Sequence, residues 1–94
     1  MKLLREMLEI KAARHNGVVI DYIEPVEQNC PMTIDQGVVI CRINGYSEYV
    51  TWKYGINGSR LECNHGNYHT KLTWAVDDFD RRVREEQKNR REVA

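Results

Sequence analysis

The stretch GVVICRINGYSEYVTWKYGINGSRLECNHGNYHTKL, Gly37 to Leu72, decides the fold. Asn44-Gly45 and Asn57-Gly58 each stand between runs of alternating apolar residues. Asn-Gly is a preferred centre for a type I′ hairpin turn, because both central residues must take positive φ. Read as two-residue loops, these turns place Val39 opposite Val50, Gly37 opposite Trp52, Tyr54 opposite Leu61 and Trp52 opposite Cys63. A third turn is expected at Asn64-His65-Gly66-Asn67, pairing Cys63 with Tyr68.

Strand side chains alternate with period two, so this register sorts the sheet into two faces. One collects Val39, Cys41, Ile43, Tyr46, Val50, Trp52, Tyr54, Ile56, Leu61 and Cys63, and reads as the core face. The other carries Val38, Ile40, Arg42, Ser47, Tyr49, Thr51, Lys53, Arg60, Glu62 and Asn64, joined by His69 and Lys71. On it Lys53 falls opposite Glu62, an opposite-charge cross-strand pair.

Upstream, Lys2 to Arg14 has apolar residues at helical spacing, and Asn16-Gly17 supplies the stop. Val18 to Ile23 is β-branched and ends at Glu24-Pro25, as a strand does. Val26 to Gln36, with Cys30 and Pro31 inside, reads as a long loop. Downstream, a helix starts near Thr73, with Asp77, Asp78 and Asp80 complementing its N-terminal dipole. Trp74, Val76, Phe79 and Val83 are expected to face the sheet, and Arg84 to Glu92 offers no apolar residue for packing. The predicted fold is α+β, an antiparallel four- or five-stranded β-meander flanked by an N-terminal and a C-terminal helix. Both helices are expected on the Trp52 face.

The chain has 94 residues, enough for one domain spanning 1–94. Fourteen basic and fourteen acidic residues cancel, so no global field draws the protein to nucleic acid or membrane. There is no apolar run of membrane-spanning length, and a cytoplasmic location is expected. Three cysteines without a framework spacing read as reduced thiols.

No Gly-rich phosphate loop, nucleophile elbow or paired-carboxylate arrangement is present, so the expectation is a protein that is not an enzyme and needs no cofactor. Cys63, His65 and His69 form C-x-H-x₃-H, the basis of an alternative reading as a small metal-binding or thiol enzyme. The alternating faces separate Cys63 from His69, whereas zinc requires four convergent ligands. The basic run from Arg81 to Arg91 is broken by Glu85 and Glu86, as in a solvated helix face with i,i+4 pairs. The second sheet face is more distinctive. Its apolar Val38, Ile40 and Tyr49 are rimmed by Arg42, Lys53, Arg60, His69 and Lys71, which suits either a covering element or an anionic ligand stacked on Tyr49. Left bare, the patch predicts a homo-oligomer.

Tyr49-Val50-Thr51-Trp52-Lys53-Tyr54, Cys63-Asn64-His65-Gly66-Asn67-Tyr68 and Ala75-Val76-Asp77-Asp78-Phe79-Asp80-Arg81-Arg82 resemble a pattern in small accessory proteins of tailed bacteriophages. The pattern is a YVxW-x-Y strand, a C-x-x-G-x-Y turn and an A-x-x-D-F-x-x-R helix, over the C-terminal half of the chain. The resemblance implies a factor that binds and inhibits a host defence protein or sequesters its nucleotide signal.

Overall fold

A computed structural model describes residues 3–26, 35–44, 48–57 and 60–88. The order is α1 (Leu4–Ala13), β1 (Gly17–Tyr22), β2 (Gln36–Ile43), β3 (Tyr49–Asn57), β4 (Arg60–His69) and α2 (Leu72–Lys88). The four strands form one antiparallel sheet in sequence order. The α+β meander with a helix at each end is therefore the architecture. No helix among the described residues is long and apolar enough to cross a membrane. The Cys30 loop between Val26 and Gln36 and the end of the Arg84–Glu92 segment lie largely outside the described residues, as do Tyr46 and Ser47.

Both hairpins close two residues away from the expected register. Val39 pairs with Trp52 and Cys41 with Val50, and the Ile43 amide donates to the Glu48 carbonyl at 2.7 Å. Four residues intervene there instead of two. In the next hairpin Asn57 pairs with Arg60 and Tyr54 with Cys63. Lys53 consequently opposes Asn64, and the expected Lys53–Glu62 pair does not form. A slip of two keeps every side chain on its face, so the partition of the sheet survives the change.

Core packing explains the chosen register. Gly37 now lies opposite Tyr54, and a β-carbon there would overlap the phenol ring. The ring crosses that gap, and the hydroxyl donates to the Ile23 carbonyl at 2.5 Å. Burial of that phenol raises its pKa, with the charges of Tyr22, Glu24 and Cys63 adding to the effect. The third expected turn is a β-bulge instead. The strand β4 runs unbroken, with His65 and Gly66 together facing Trp52 in the ladder. His65 takes a left-handed φ of 51°, and a β-carbon on Gly66 would meet the Trp52 indole. A turn would have removed the backbone against which Trp52 packs, so the larger aromatic burial prevails over local turn chemistry.

The two helices lie on opposite faces, not together. The helix α1 packs Leu8 and Ala12 on Val19, Val39, Cys41, Val50, Trp52 and Tyr54. Its chain reverses through Asn16, which takes the left-handed conformation at φ 57°, while Gly17 already belongs to β1. The helix α2 covers Val38 and Ile40 with Ala75 and Phe79, and Ile23, Tyr49 and Val83 pack against that cluster. The apolar patch expected to be bare is thus the floor beneath α2. This chain supplies its own cover for the patch, so the patch gives no reason for an oligomer.

Candidate functional site

The buried side of α2 is Ala75, Asp78, Phe79, Arg82 and Glu86, one helical stripe in which three of five residues are ionisable. Trp74 and Val76, expected to face the sheet, point outward. The small Ala75 lets the helix approach β2, and Asp78 then meets a ready set of donors. Its Oδ2 accepts from Thr51 Oγ1 at 2.6 Å, Asn67 Nδ2 at 3.0 Å and His69 Nε2 at 3.1 Å. Its Oδ1 accepts from Arg81 Nη2 at 2.5 Å. Arg82 Nε stands 3.7 Å from Oδ2. One turn further along α2, Glu86 is only 2% exposed and meets Lys53 Nζ at 3.2 Å.

Burial alone would raise the Asp78 pKa, because a carboxylate loses hydration more than a carboxylic acid does. The hydrogen bonds from Thr51, Asn67, His69 and Arg81 outweigh that and hold the carboxyl well below the usual carboxylate range. An ionised Asp78 only accepts, so His69 donates from Nε2. This fixes an imidazole by a carboxylate, an arrangement capable of proton transfer. The hydroxyl in the network belongs to Thr51, which is buried and committed to Asp78. The network's clear physical effect is to clamp α2 across β3 and β4. Arg82 is 5% exposed, and its Nη1 has no partner among the described residues. Desolvation lowers its pKa.

The six residues expected to bind a ligand divide between the two ends of the sheet. Arg42, Tyr49 and His69 form one cross-strand row, and Lys71 follows His69 at the start of α2. Tyr49 packs under α2 and His69 is engaged with Asp78, whereas Arg42 and Lys71 remain exposed. Lys53 and Arg60 belong to the other end, where Lys53 is paired with Glu86 and Arg60 makes an exposed 3.5 Å contact with Glu62. The open, flat Tyr49 platform is therefore not present in this fold.

Aromatic surface lies elsewhere. Tyr68 is 55% exposed and Trp74 53% exposed, with Lys71 Nζ 4.8 Å from the centre of the indole ring. Tyr68 pairs with Val50 and so belongs to the α1 side of the sheet, whereas Trp74 stands on α2. Helical spacing puts Trp74 on the flank of α2 nearest Asp78 and therefore nearest β4. The two aromatics thus bracket the edge strand β4. Periodicity points the other way, since alternation sets Tyr68 on the core face with Val50 and Trp74 is expected to face the sheet, yet both are exposed.

The C-x-H-x₃-H span does not converge. Cys63 packs against the α1-side core, while His69 bonds Asp78 on the α2 side. No group of three or more His, Cys, Asp or Glu suited to a metal ion occurs among the described residues. Burial, offset in part by Lys11, pushes the Cys63 thiol up to about 11. Burial, with the Cys63 charge adding to it, pushes Cys41 up to about 12. Neither thiol supplies much thiolate near neutral pH. Asp78 was legible only as a helix-start charge, although the spacing 75, 78, 79, 82, 86 marks it as sheet-facing. The chain matches no protein-family model, no curated protein and no solved structure.

Proposed function

We propose that this chain is a non-enzymatic binding protein that acts by occupying a macromolecular partner, with the Tyr68–Lys71–Trp74 corner as its contact surface. The exposure of Trp74 and Tyr68 on either side of an edge strand carries this reading. Trp and Tyr dominate the energetics of protein interfaces, because they bury a large area at small entropic cost. Here the Lys71 ammonium lies over the exposed Trp74 ring, adding a charged contact at the same corner. Arg42 and His69 stand in the neighbouring row and extend the corner with a cation and a hydrogen-bonding ring.

The phage-like pattern makes a host defence protein the partner class to test first, in the cytoplasm of the host. A nucleotide signal is the competing ligand, supported by the same Lys71–Trp74 stack. The test uses the contrast between the two tryptophans, since Trp52 is buried and Trp74 is not. Purified protein is titrated, with indole fluorescence as the readout, against candidate defence proteins and separately against signalling dinucleotides. Binding that shifts the Trp74 emission and weakens at least about tenfold in Trp74→Ala supports the assignment. A nucleotide that does so while the proteins do not selects the second ligand. Binding of equal strength in Trp74→Ala and Tyr68→Ala moves the contact surface away from this corner.

A further inference from the structure

At the opposite edge of the sheet, β1 pairs with β2 on one side and with no strand on the other among the described residues. Such edges are usually blunted by lysine, proline or a bulge. The sequence of β1, Gly-Val-Val-Ile-Asp-Tyr, has neither lysine nor proline. It does carry a bulge at Ile20, between the Val19–Cys41 and Asp21–Ile40 pairs. That bulge limits straight pairing to the first half of the strand. The half that remains straight, Gly17 to Val19, lines an open cleft of about 280 Å³ together with Arg5 and Glu9 of α1.

We propose that β1 is a two-fold interface, at which a second copy of this chain pairs its own β1 antiparallel beside Gly17–Val19. An axis normal to the sheet keeps both copies of α1 on the same face and runs them in opposite directions. Each α1 runs back along its own strand, since Arg5 lies over the Tyr22 ring at 6.0 Å and the Ala12 carbonyl approaches Gly17. The flank overhanging the cleft carries Arg5 and Glu9, which pair within the chain at 2.8 Å. Two antiparallel copies of that flank are self-complementary: Arg5 of one copy faces Glu9 of the partner subunit, and the reverse. Charge complementarity of this kind selects a copy of the same surface over an unrelated one.

The α2 side of this edge is apolar at its straight half, and the exposed Asp21 lies beyond the bulge. Val18 pairs with Arg42 and is 69% exposed, and Ile20 in the bulge is exposed as well. Leu72 and Val76 are exposed on the flank of α2 that helical spacing turns away from β4 and toward β1. The edge thus offers three layers: a reciprocal charge pair, a short stretch of free strand and an aliphatic strip. Association leaves Tyr68 and Trp74 free at the outer edge of each copy, so it stands or falls separately from the contact corner.

Sedimentation equilibrium of the full chain from about 1 to about 100 µM tests the proposal. The expected mass rises with concentration from the 11.1 kDa monomer toward twice that value. Val18→Glu places like charges across the axis without removing any contact buried within the monomer, and is expected to weaken association at least about tenfold. Arg5→Glu should do the same, and Arg5→Glu with Glu9→Arg should restore association to within about threefold of wild type, because the reversed pair is still self-complementary. Circular dichroism of each variant confirms the fold, and if Arg5→Glu does not fold then Val18→Glu decides. A wild-type mass that stays at one chain throughout the range overturns the proposal. So does association unchanged in Val18→Glu and in the charge reversal, which would put any dimer contact elsewhere.

Discussion

Replacing Asp78 with alanine is the most informative single perturbation. The carboxylate is 8% exposed and is shared by donors from β3, β4 and α2. Its removal strands the Thr51 hydroxyl, which is buried, and removes the nearest counter-charge from the buried Arg82 guanidinium. Asn67 and His69 are only partly buried and can turn to water, and Arg81 is half exposed, so these three add little. An unsatisfied buried donor costs about 1–3 kcal/mol, and breaking a buried charged network about 3–5 kcal/mol. Asp78→Ala should therefore lose about 3–5 kcal/mol, much of the ~5–15 kcal/mol available to a domain. Urea unfolding followed by circular dichroism measures this directly. The acid limb adds an independent check. A depressed carboxyl pKa contributes stability that is fully present above the unfolded value, near ~3.9, and is lost as pH falls through the folded value. Wild type should accordingly lose stability more steeply than Asp78→Ala below about pH 4. A loss under about 1 kcal/mol in urea, with parallel acid limbs, would show that apolar packing alone holds α2 in place.

Three further outcomes follow from the core. Trp52→Ala should cost about 3–5 kcal/mol by chemical denaturation, since the indole is buried among the α1-side residues; a cost below 1 kcal/mol would refute that packing. Gly66→Ala should destabilise by about 1–3 kcal/mol and perturb the near-ultraviolet signal of Trp52, because the added methyl meets the indole at the bulge. With Cys30→Ser as background, Cys41 and Cys63 should react with a disulfide reagent at pH 8 far more slowly in the native protein than in urea, given thiols pushed up to about 12 and about 11. Equal rates in both conditions would place them at the surface.

The candidate site was only partly legible in the chain. Tyr49, His69 and Lys53 were correctly set on one face, because alternation is insensitive to a slip of two residues. What they do there was not legible. Each contacts α2, and which stripe of α2 turns inward depended on where Asp78 could find donors. Glu86 and Arg82 read as solvated charges for the same reason, since an ionisable residue is rarely buried until a specific partner stands opposite it.

By itself the sequence determined the order of the elements, the antiparallel meander and the membership of the two sheet faces. Those depend on local periodicity and short-range chain reversal, which act within a few residues. Only the tertiary structure decided the register, the bulge at His65-Gly66 and the placement of α2 opposite α1. Gly37 under Tyr54 and Gly66 under Trp52 outweighed the two Asn-Gly turn preferences, because filling a close-packed core involves more free energy than one turn type over another. The side of the sheet that α2 covers followed from a second apolar floor at Val38 and Ile40 and from the polar partners waiting beside it on β3 and β4. Such partners lie 9 to 27 residues away in the chain, a distance over which no sequence pattern carries the information.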